Sequence, residues 1–232
     1  MATLIKATDI SKVYHKTAVP VHALNHVNLT VREGEFTAIV GPSGCGKTTL
    51  LNILGGLDHS SSGKVEIAGT DITTMQDSRL IDFRLHNIGF VFQAYNLIPV
   101  LTARENVEFI MLLLKRNKKE REERAKQLLH RMDMSDKLHH RPAELSGGQQ
   151  QRVAISRAIV AKPKVILADE PTGNLDSANG EEVMKLLSQL NEEGTTIVMV
   201  THSPYDANYA HRIVNLFDGK VVTENIKEHF HI

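Results

Sequence analysis

Residues 41–50, GPSGCGKTTL, have the residue types and spacing of a phosphate-binding loop. They follow the apolar run 36–40 and match the pattern GxxxxGK[ST] at Gly41, Gly46, Lys47 and Thr48. A loop of this kind turns backbone N–H groups toward phosphate oxygens, and the positive end of the following helix strengthens the attraction. We expect Lys47 to reach the β- and γ-phosphates and Thr48 to coordinate a bridging Mg²⁺. The predicted nucleotide-binding residues of this loop are Gly41, Pro42, Ser43, Gly44, Cys45, Gly46, Lys47, Thr48 and Thr49. The alternative is a chance glycine-rich turn that carries a surface lysine.

Two adjacent carboxylates, Asp169 and Glu170, end a second apolar run, residues 165–168. Four apolar residues without alternation are typical of a buried parallel strand. In open α/β sheets, ligands gather at the carboxyl ends of the strands. Asp169 is therefore predicted to hold Mg²⁺ through its water shell, and Glu170 to polarise an attacking water. The alternative is a pair of strand-end acids that cap the next helix.

A third candidate is the segment LSGGQ, residues 145–149, which precedes a helical pattern. Ser146 is a favourable N-cap, and Gly147 and Gly148 leave backbone N–H groups uncovered before Gln149. This combination predicts a second helix N-terminus that suits an anion. A flexible helix cap explains the same residues when they are taken alone.

Three single residues complete the candidate set. Tyr14 could stack on a nucleotide base, or be an ordinary half-buried tyrosine. Gln93 follows an apolar strand-like run and could coordinate Mg²⁺ or hold a water through its amide, although most such residues are solvated. His202 ends another strand-like run and could donate a hydrogen bond to a γ-phosphate, or serve a structural role.

The elements that must position these residues alternate between strands and helices. Strand-like runs occupy 4–7, 27–31, 36–40, 64–68, 88–92, 165–168 and 195–200. Between about 94 and 161 the apolar spacing becomes helical, as in Ala125, Leu128, Leu129 and Met132. The additional apolar pair 112–113 could contact a partner, but we expect it in the core. The pattern predicts three parts: 1–93 with the loop, an inserted helical lobe at 94–161, and 162–232.

Composition excludes several classes of function. The chain of 232 residues has 27 basic and 27 acidic side chains, so it has no net charge to attract nucleic acid or an anionic membrane. Its single cysteine, Cys45, cannot form an internal disulfide, which fits a reducing compartment. Cys45 could be redox-sensitive, but a small residue at a variable loop position is the simpler interpretation. No signal peptide or membrane span is recognisable, which favours a cytoplasmic protein held at a membrane only by a partner.

Taken in order, GPSGCGKTT, Gln93, LSGGQ, VILADE, GNLD and His202 resemble the nucleotide-binding subunits of ABC transporters over essentially the whole chain. The resemblance implies an α/β fold: a RecA-like P-loop NTPase core with a mostly parallel sheet, an N-terminal antiparallel β subdomain and an inserted α-helical lobe. It also implies ATP and Mg²⁺ as ligands, ATP hydrolysis, and a head-to-tail homodimer with two ATP molecules at its interface.

The same resemblance assigns roles to the candidate residues. Tyr14 takes the place of the base-stacking aromatic, Gln93 that of the lobe-coupling and metal-binding residue, and Glu170 that of the general base. His202 takes the place of the γ-phosphate switch, and Asp169 and Thr48 those of the metal ligands. Ser146, Gly147, Gly148 and Gln149 of one chain would face the γ-phosphate held by Lys47 of the other.

Softer features are most similar to the bacterial MacB-like and LolD-like branch of this superfamily. These are the combination of LADEPTGNLD with GGLD, FQAYNLIPVLTARENV and THSPYDANYAHRIVNLFDGK. The branch serves macrolide or peptide export and lipoprotein release, with FtsX-like integral membrane partners. A non-transport ATPase that regulates an envelope or cell-division complex remains the alternative. A DNA-associated ATPase is disfavoured, because no sustained heptads occur and the charge is balanced.

Overall fold

A computed structural model describes residues 2–15 and 19–227 of the chain. The strands are β1 (Thr3–Tyr14), β2 (Val21–Arg32), β3 (Phe36–Val40), β4 (Ser62–Ile67), β5 (Thr70–Asp71), β6 (Ile88–Phe92), β7 (Val165–Asp169), β8 (Thr196–Thr201), β9 (Arg212–Phe217) and β10 (Lys220–Ile226). The helices are α1 (Lys47–Leu54), α2 (Asp77–Asn87), α3 (Ala103–Leu113), α4 (Lys118–Arg131), α5 (Gly147–Ile159), α6 (Ser177–Glu192) and α7 (Pro204–Ala207), and short 3-10 turns lie at Ser135–Lys137 and Pro142–Glu144. Two compact units result: Met1–Ile81 with Ser188–Ile232, and Asp82–Leu187.

The first unit contains an antiparallel sheet near the N-terminus, with the strand order β2-β1-β4-β5. Strands β1 and β2 are 12 residues each, longer than the runs 4–7 and 27–31 that the sequence predicts. Their polar halves stay extended because backbone pairing continues through several register shifts as far as Tyr14 opposite Val21. Tyr14 is therefore the last residue of β1.

The second sheet region of this unit is mostly parallel. β3 pairs in parallel with β8 on one side and with β9 on the other, and β10 is antiparallel to β9. All six residues of β8 are buried, as a parallel strand covered on both faces requires. Because Val40 is opposite Thr201, the segments that follow β3 and β8 leave the same edge of the sheet.

The second unit combines parallel strands β6 and β7 with helices α3, α4 and α5. The predicted helical spacing is confirmed, since Ala125, Leu128, Leu129 and Met132 are all buried. The expectation that the pair 112–113 lies in the core was wrong: these leucines are 50% and 46% exposed. At 100° per residue they lie away from the α3 face that buries Val107 and Met111.

The sheets and helices match the predicted α/β fold class, with an antiparallel N-terminal sheet, mostly parallel core strands and a helical segment. Among the described residues, no helix combines the length and the apolar character that crossing a bilayer demands.

Candidate functional site

The predicted phosphate loop joins β3 to α1 in the first unit. Gly46 is the N-cap of α1 and has the left-handed values φ 103° and ψ 6°. A Cβ at this position would lie 2.3 Å from the carbonyl oxygen of Ala23, so glycine is required both by the backbone angle and by the space. The loop therefore presents bare backbone at the beginning of a helix, which is the arrangement that binds phosphate oxygens.

The ammonium group of Lys47 is held over this loop. Its Nζ donates hydrogen bonds to the carbonyl oxygens of Gly41 (2.8 Å) and Pro42 (2.9 Å), and the residue is 8% exposed. Thr48 is exposed in the first turn of α1, and Thr49 is half-buried. A cation, an exposed hydroxyl and a helix N-terminus in one loop fit the phosphate chain of a nucleoside triphosphate.

Cys45 lies beneath the loop and not on its surface. It is 4% exposed, and its Sγ would be 2.7 Å from a Cβ placed on Gly41. Its backbone carbonyl accepts a hydrogen bond from the N–H of Gly219. A thiol buried in this way acts as a small packing residue, and its environment favours that role over redox sensitivity.

His202 and Tyr14 also belong to the first unit. His202 is exposed immediately after β8, at the sheet edge from which the phosphate loop leaves β3. Tyr14 is half-buried, and its hydroxyl donates to the carboxylate of Asp58 at 2.7 Å. A second interaction of that hydroxyl, with the side chain of Thr49, ties Tyr14 to the loop helix.

The strand-end residues of the second unit share one edge. Phe92 of β6 is opposite Asp169 of β7, so Gln93, Asp169 and Glu170 all lie where these parallel strands end. Asp169 and Glu170 are partly exposed, whereas residues 165–168 are buried. The predicted buried strand with two accessible carboxylates at its carboxyl end is thus present.

Glu170 has an unusual backbone conformation. Its φ of 46° is in the left-handed region, where a residue with a side chain costs about 1–2 kcal/mol relative to the right-handed region. The turn is closed by the N–H of Gly173, which donates to the Glu170 carbonyl oxygen at 3.0 Å. Strained non-glycine residues concentrate at functional sites, so this angle motivates a functional hypothesis for the side chain.

The LSGGQ segment begins α5 as the sequence predicts. Ser146 is the N-cap, and its Oγ accepts from the Gln149 N–H while the Gln149 side chain accepts from the Ser146 N–H. This reciprocal pair is a capping box. A side chain at either glycine would displace a neighbouring side chain: a Cβ on Gly147 would be 2.8 Å from the Tyr95 hydroxyl, and one on Gly148 would be 2.3 Å from Asn179 Oδ1.

Asn174, in the GNLD turn, links Gln93 to this segment. The side chain of Gln93 donates to Asn174 Oδ1 at 3.2 Å, and Asn174 Nδ2 donates to the Gln93 carbonyl at 3.0 Å. The Tyr95 hydroxyl, which lies against Gly147, donates to the Asn174 carbonyl at 3.4 Å. The amide of Gln93 is therefore oriented by protein contacts.

Arg157 of α5 fixes the turn that follows Gln93, a role that sequence reasoning missed. Its guanidinium donates to the carbonyl oxygens of Tyr95 (2.8 Å) and Asn96 (2.5 Å). Both of these residues have positive φ, 59° and 49°. An arginine inside a predicted helix carries no signal for a contact about 60 residues away, so only the structure reveals it.

Within the described residues, no group of three or more histidine, cysteine, aspartate or glutamate side chains is arranged to hold a metal ion. The predicted Mg²⁺ ligands, Thr48, Gln93 and Asp169, include a single carboxylate. Such a set suits Mg²⁺, which keeps several waters and binds together with substrate phosphates.

The fold and these residues define a phosphate-loop nucleotide-binding protein. A family model described as ABC transporter matches residues 24–173. The chain is 50% identical over 219 residues to the ABC transporter ATP-binding protein MJ1508 of Methanocaldococcus jannaschii, covering 94% of this chain and 98% of that one. It is 44% identical over 230 residues to the macrolide export ATP-binding/permease protein MacB of Brucella melitensis, covering 99% of this chain and 36% of MacB. A structure described as a dimeric post-hydrolysis state of the ATP-binding cassette MJ0796 bound to ADP and Pi has a TM-score of 0.91 and 44% identity, covering 98% of this chain and 100% of that one.

The chain therefore belongs to the ABC transporter family, as an ATP-binding protein. The predicted superfamily, fold class and ATPase class are confirmed. The division at 93 and 161, the residue roles, the Mg²⁺ site and the membrane partner stay predictions.

Proposed function

We propose that this chain is the ATP-hydrolysing subunit of an ABC transporter, and that two copies close head-to-tail around two ATP molecules to drive a membrane permease. The observation that supports a dimer is the solved structure of MJ0796, which is dimeric and bound to ADP and Pi and is 44% identical to this chain. Binding closes such a dimer because each γ-phosphate offers contacts that only the closed state can make. Hydrolysis removes those contacts and the dimer opens.

Each candidate residue has a task in this proposal. Lys47 and the loop N–H groups bind the β- and γ-phosphates, and Ser146 with the glycines after it binds the γ-phosphate from the second copy. Thr48, Gln93 and Asp169 would hold Mg²⁺, which would neutralise phosphate charge. Glu170 accepts a proton from the attacking water, and His202 donates a hydrogen bond to the γ-phosphate.

A permease is part of the proposal because the name of MacB, which is 44% identical to this chain, combines an ATP-binding part with a permease. Exposed apolar side chains in the second unit support a protein partner: Val100 is 72% exposed, Leu112 50% and Leu113 46%. We propose an FtsX-like permease, a position at the inner face of the membrane through that permease, and export or lipoprotein release as the task.

Dimer closure is tested with Glu170→Gln, which keeps the size of the side chain and removes its basicity. With Mg²⁺ and ATP, we expect this variant to bind ATP, to lose turnover, and to elute at about twice the 25.8 kDa of the chain in light-scattering chromatography. Glu192→Gln, the same exchange at an exposed position of α6, is the matched control and should hydrolyse ATP normally. Full turnover by Glu170→Gln would refute the role of Glu170, and a monomer with bound ATP would refute the closed dimer.

The membrane partner is tested by purifying tagged Glu170→Gln protein from native membranes with ATP and identifying co-purifying proteins by mass spectrometry. We expect a multi-span protein with a large extracytoplasmic domain. Turnover stimulated by cargo in the reconstituted complex would support transport. Recovery of soluble partners alone would refute the transporter and favour the regulatory ATPase.

A further inference from the structure

Tyr14, at the end of β1, is held by residues that the phosphate-loop motif does not include. Its hydroxyl donates to Asp58 Oδ2 at 2.7 Å, and the other carboxylate oxygen accepts from Lys12 Nζ at 2.7 Å. The same ammonium lies 4.7 Å from the centroid of the Tyr14 ring. Asp58 thus holds the ring at its hydroxyl directly, and on one face through Lys12.

This three-residue cluster, Lys12, Tyr14 and Asp58, is anchored to the helix that the phosphate loop begins. The Asp58 N–H donates to the carbonyl oxygen of Asn52 in α1 at 3.3 Å. The side chains of Lys12 and Asp58 are only 12% and 30% exposed, and Lys12 Nζ also donates to the His59 carbonyl at 2.6 Å. Since α1 starts at Lys47, the ring is fixed relative to the loop by one short, rigid helix.

The protonation states suit this arrangement. Burial opposes ionisation of Asp58, but hydrogen bonds from Lys12, Tyr14 and the His59 N–H together lower its pKa. Burial, followed by the hydrogen bond to Asp58, raises the pKa of Tyr14. At neutral pH Asp58 is therefore a carboxylate acceptor and Tyr14 a phenol donor.

We propose that Asp58 is a positioning residue that fixes the Tyr14 ring on which the base of ATP stacks. Lys12 covers one face of that ring, so the base stacks on the other face. The proposal rests on the proposed function, and on the base-stacking place of Tyr14 that the family resemblance implies. Stacking requires a parallel and correctly placed ring, and a ring ordered before binding loses less conformational freedom when the base arrives.

The experiment compares two ligands that differ in the base, ATP and inorganic tripolyphosphate, by isothermal titration with Mg²⁺. Loss of a stacked base lowers affinity by about 5- to 150-fold. We expect Asp58→Ala to lower the affinity for ATP by about tenfold. Tripolyphosphate affinity should be unchanged, because the loop contacts remain. In hydrolysis assays KM for ATP should rise with little change in kcat. Glu66→Ala, which removes the carboxylate paired with Lys64 at 2.8 Å on β4, is the matched control and should leave both affinities unchanged.

A double-mutant cycle separates positioning from general stability. Tyr14→Ala should weaken ATP binding, and adding Asp58→Ala should weaken it no further, because the stacking ring is already absent. Tyr14→Phe keeps the ring but loses the bond to Asp58, so it should reproduce most of the effect of Asp58→Ala.

The outcomes that overturn the proposal are distinct from failure of the proposed function. Equal weakening of ATP and tripolyphosphate by Asp58→Ala would mean that Asp58 supports the loop or the fold. Unchanged ATP affinity in Asp58→Ala, or additive effects of the two alanines, would refute the link to Tyr14. If the unaltered chain binds neither ATP nor tripolyphosphate, the proposed function itself fails.

Discussion

Gly46 and Gly44 form a matched pair that tests how the phosphate loop is built. Both have positive φ, 103° and 79°, and they are two positions apart in the same loop. The surroundings differ: a Cβ on Gly44 would meet no atom within 4 Å, whereas one on Gly46 would lie 2.3 Å from the Ala23 carbonyl oxygen. Alanine at either position has the unfavourable backbone angle, but only at Gly46 does it collide with a strand of the N-terminal sheet.

The two effects can be estimated separately. Left-handed backbone costs alanine about 1–2 kcal/mol, and forcing an added carbon into a packed site costs about 1–3 kcal/mol more. The Ala23 carbonyl belongs to the paired strand β2 and cannot move as a flexible side chain would. We therefore expect Gly44→Ala to lower the free energy of unfolding by about 1–2 kcal/mol, and Gly46→Ala by about 2–5 kcal/mol.

Thermal unfolding followed by circular dichroism, without nucleotide, measures this difference independently of binding. For a chain of this size, 1 kcal/mol shifts Tm by about 2–4 °C, so Gly46→Ala should melt several degrees below Gly44→Ala. Equal Tm values for the two variants would refute the importance of the Ala23 contact. A larger drop for Gly44→Ala would contradict the geometry of the loop altogether.

Further predictions concern three other positions. Burial lowers the pKa of His211, whose Nδ1 accepts the Phe36 N–H at 3.2 Å. The imidazole of His211 therefore binds a proton more readily in the unfolded chain, and the free energy of unfolding should fall as pH drops below about 6.5. His211→Gln should make the free energy of unfolding less dependent on pH, as measured by denaturant titrations at several pH values. Thr102 caps α3 in a reciprocal box with Glu105, so Thr102→Ala should cost about 1 kcal/mol, or about 2–4 °C in Tm. An unchanged Tm would show that α3 needs no cap. Glu170→Gly should remove the strain at φ 46°, raise stability by about 1 kcal/mol in chemical denaturation, and abolish ATP turnover.

The parts of the site that could be predicted from the sequence are those formed by residues that are adjacent along the chain. The loop, the strand that ends at Asp169 and the N-cap at Ser146 follow from local rules about glycine, buried strands and helix capping. Asp58 was out of reach because its contact with Tyr14 joins residues 44 positions apart. The same holds for Arg157 and the turn after Gln93, which are about 60 positions apart.

The fold was predictable to a similar extent. Strand β6 has the bounds of the apolar run 88–92, and β7 extends the run 165–168 by one residue to Asp169. The four apolar residues of β7 are buried, as the faces of a covered parallel strand are. Helix α2 was not predicted, because Leu80 is its only buried residue and a helix with so small an apolar face has almost no periodicity. The exposed pair 112–113 shows that apolar character alone does not determine burial. The sequence does not distinguish an apolar residue in the core from one on the surface.

Glu170 is the position at which backbone strain and proposed chemistry can be separated. If the left-handed conformation is kept for the carboxylate, Glu170→Gly should be more stable than the unaltered chain, while Glu170→Gln should have nearly unchanged stability. Both variants should lack turnover. Only the glutamine variant preserves the size of the side chain, so it is the variant that suits the test of ATP-driven dimerisation. A glycine variant that is less stable would show that contacts of the Glu170 side chain hold the turn together. The unusual φ would then have a structural explanation, and the case for Glu170 as general base would rest on the resemblance and on the kinetics of Glu170→Gln alone.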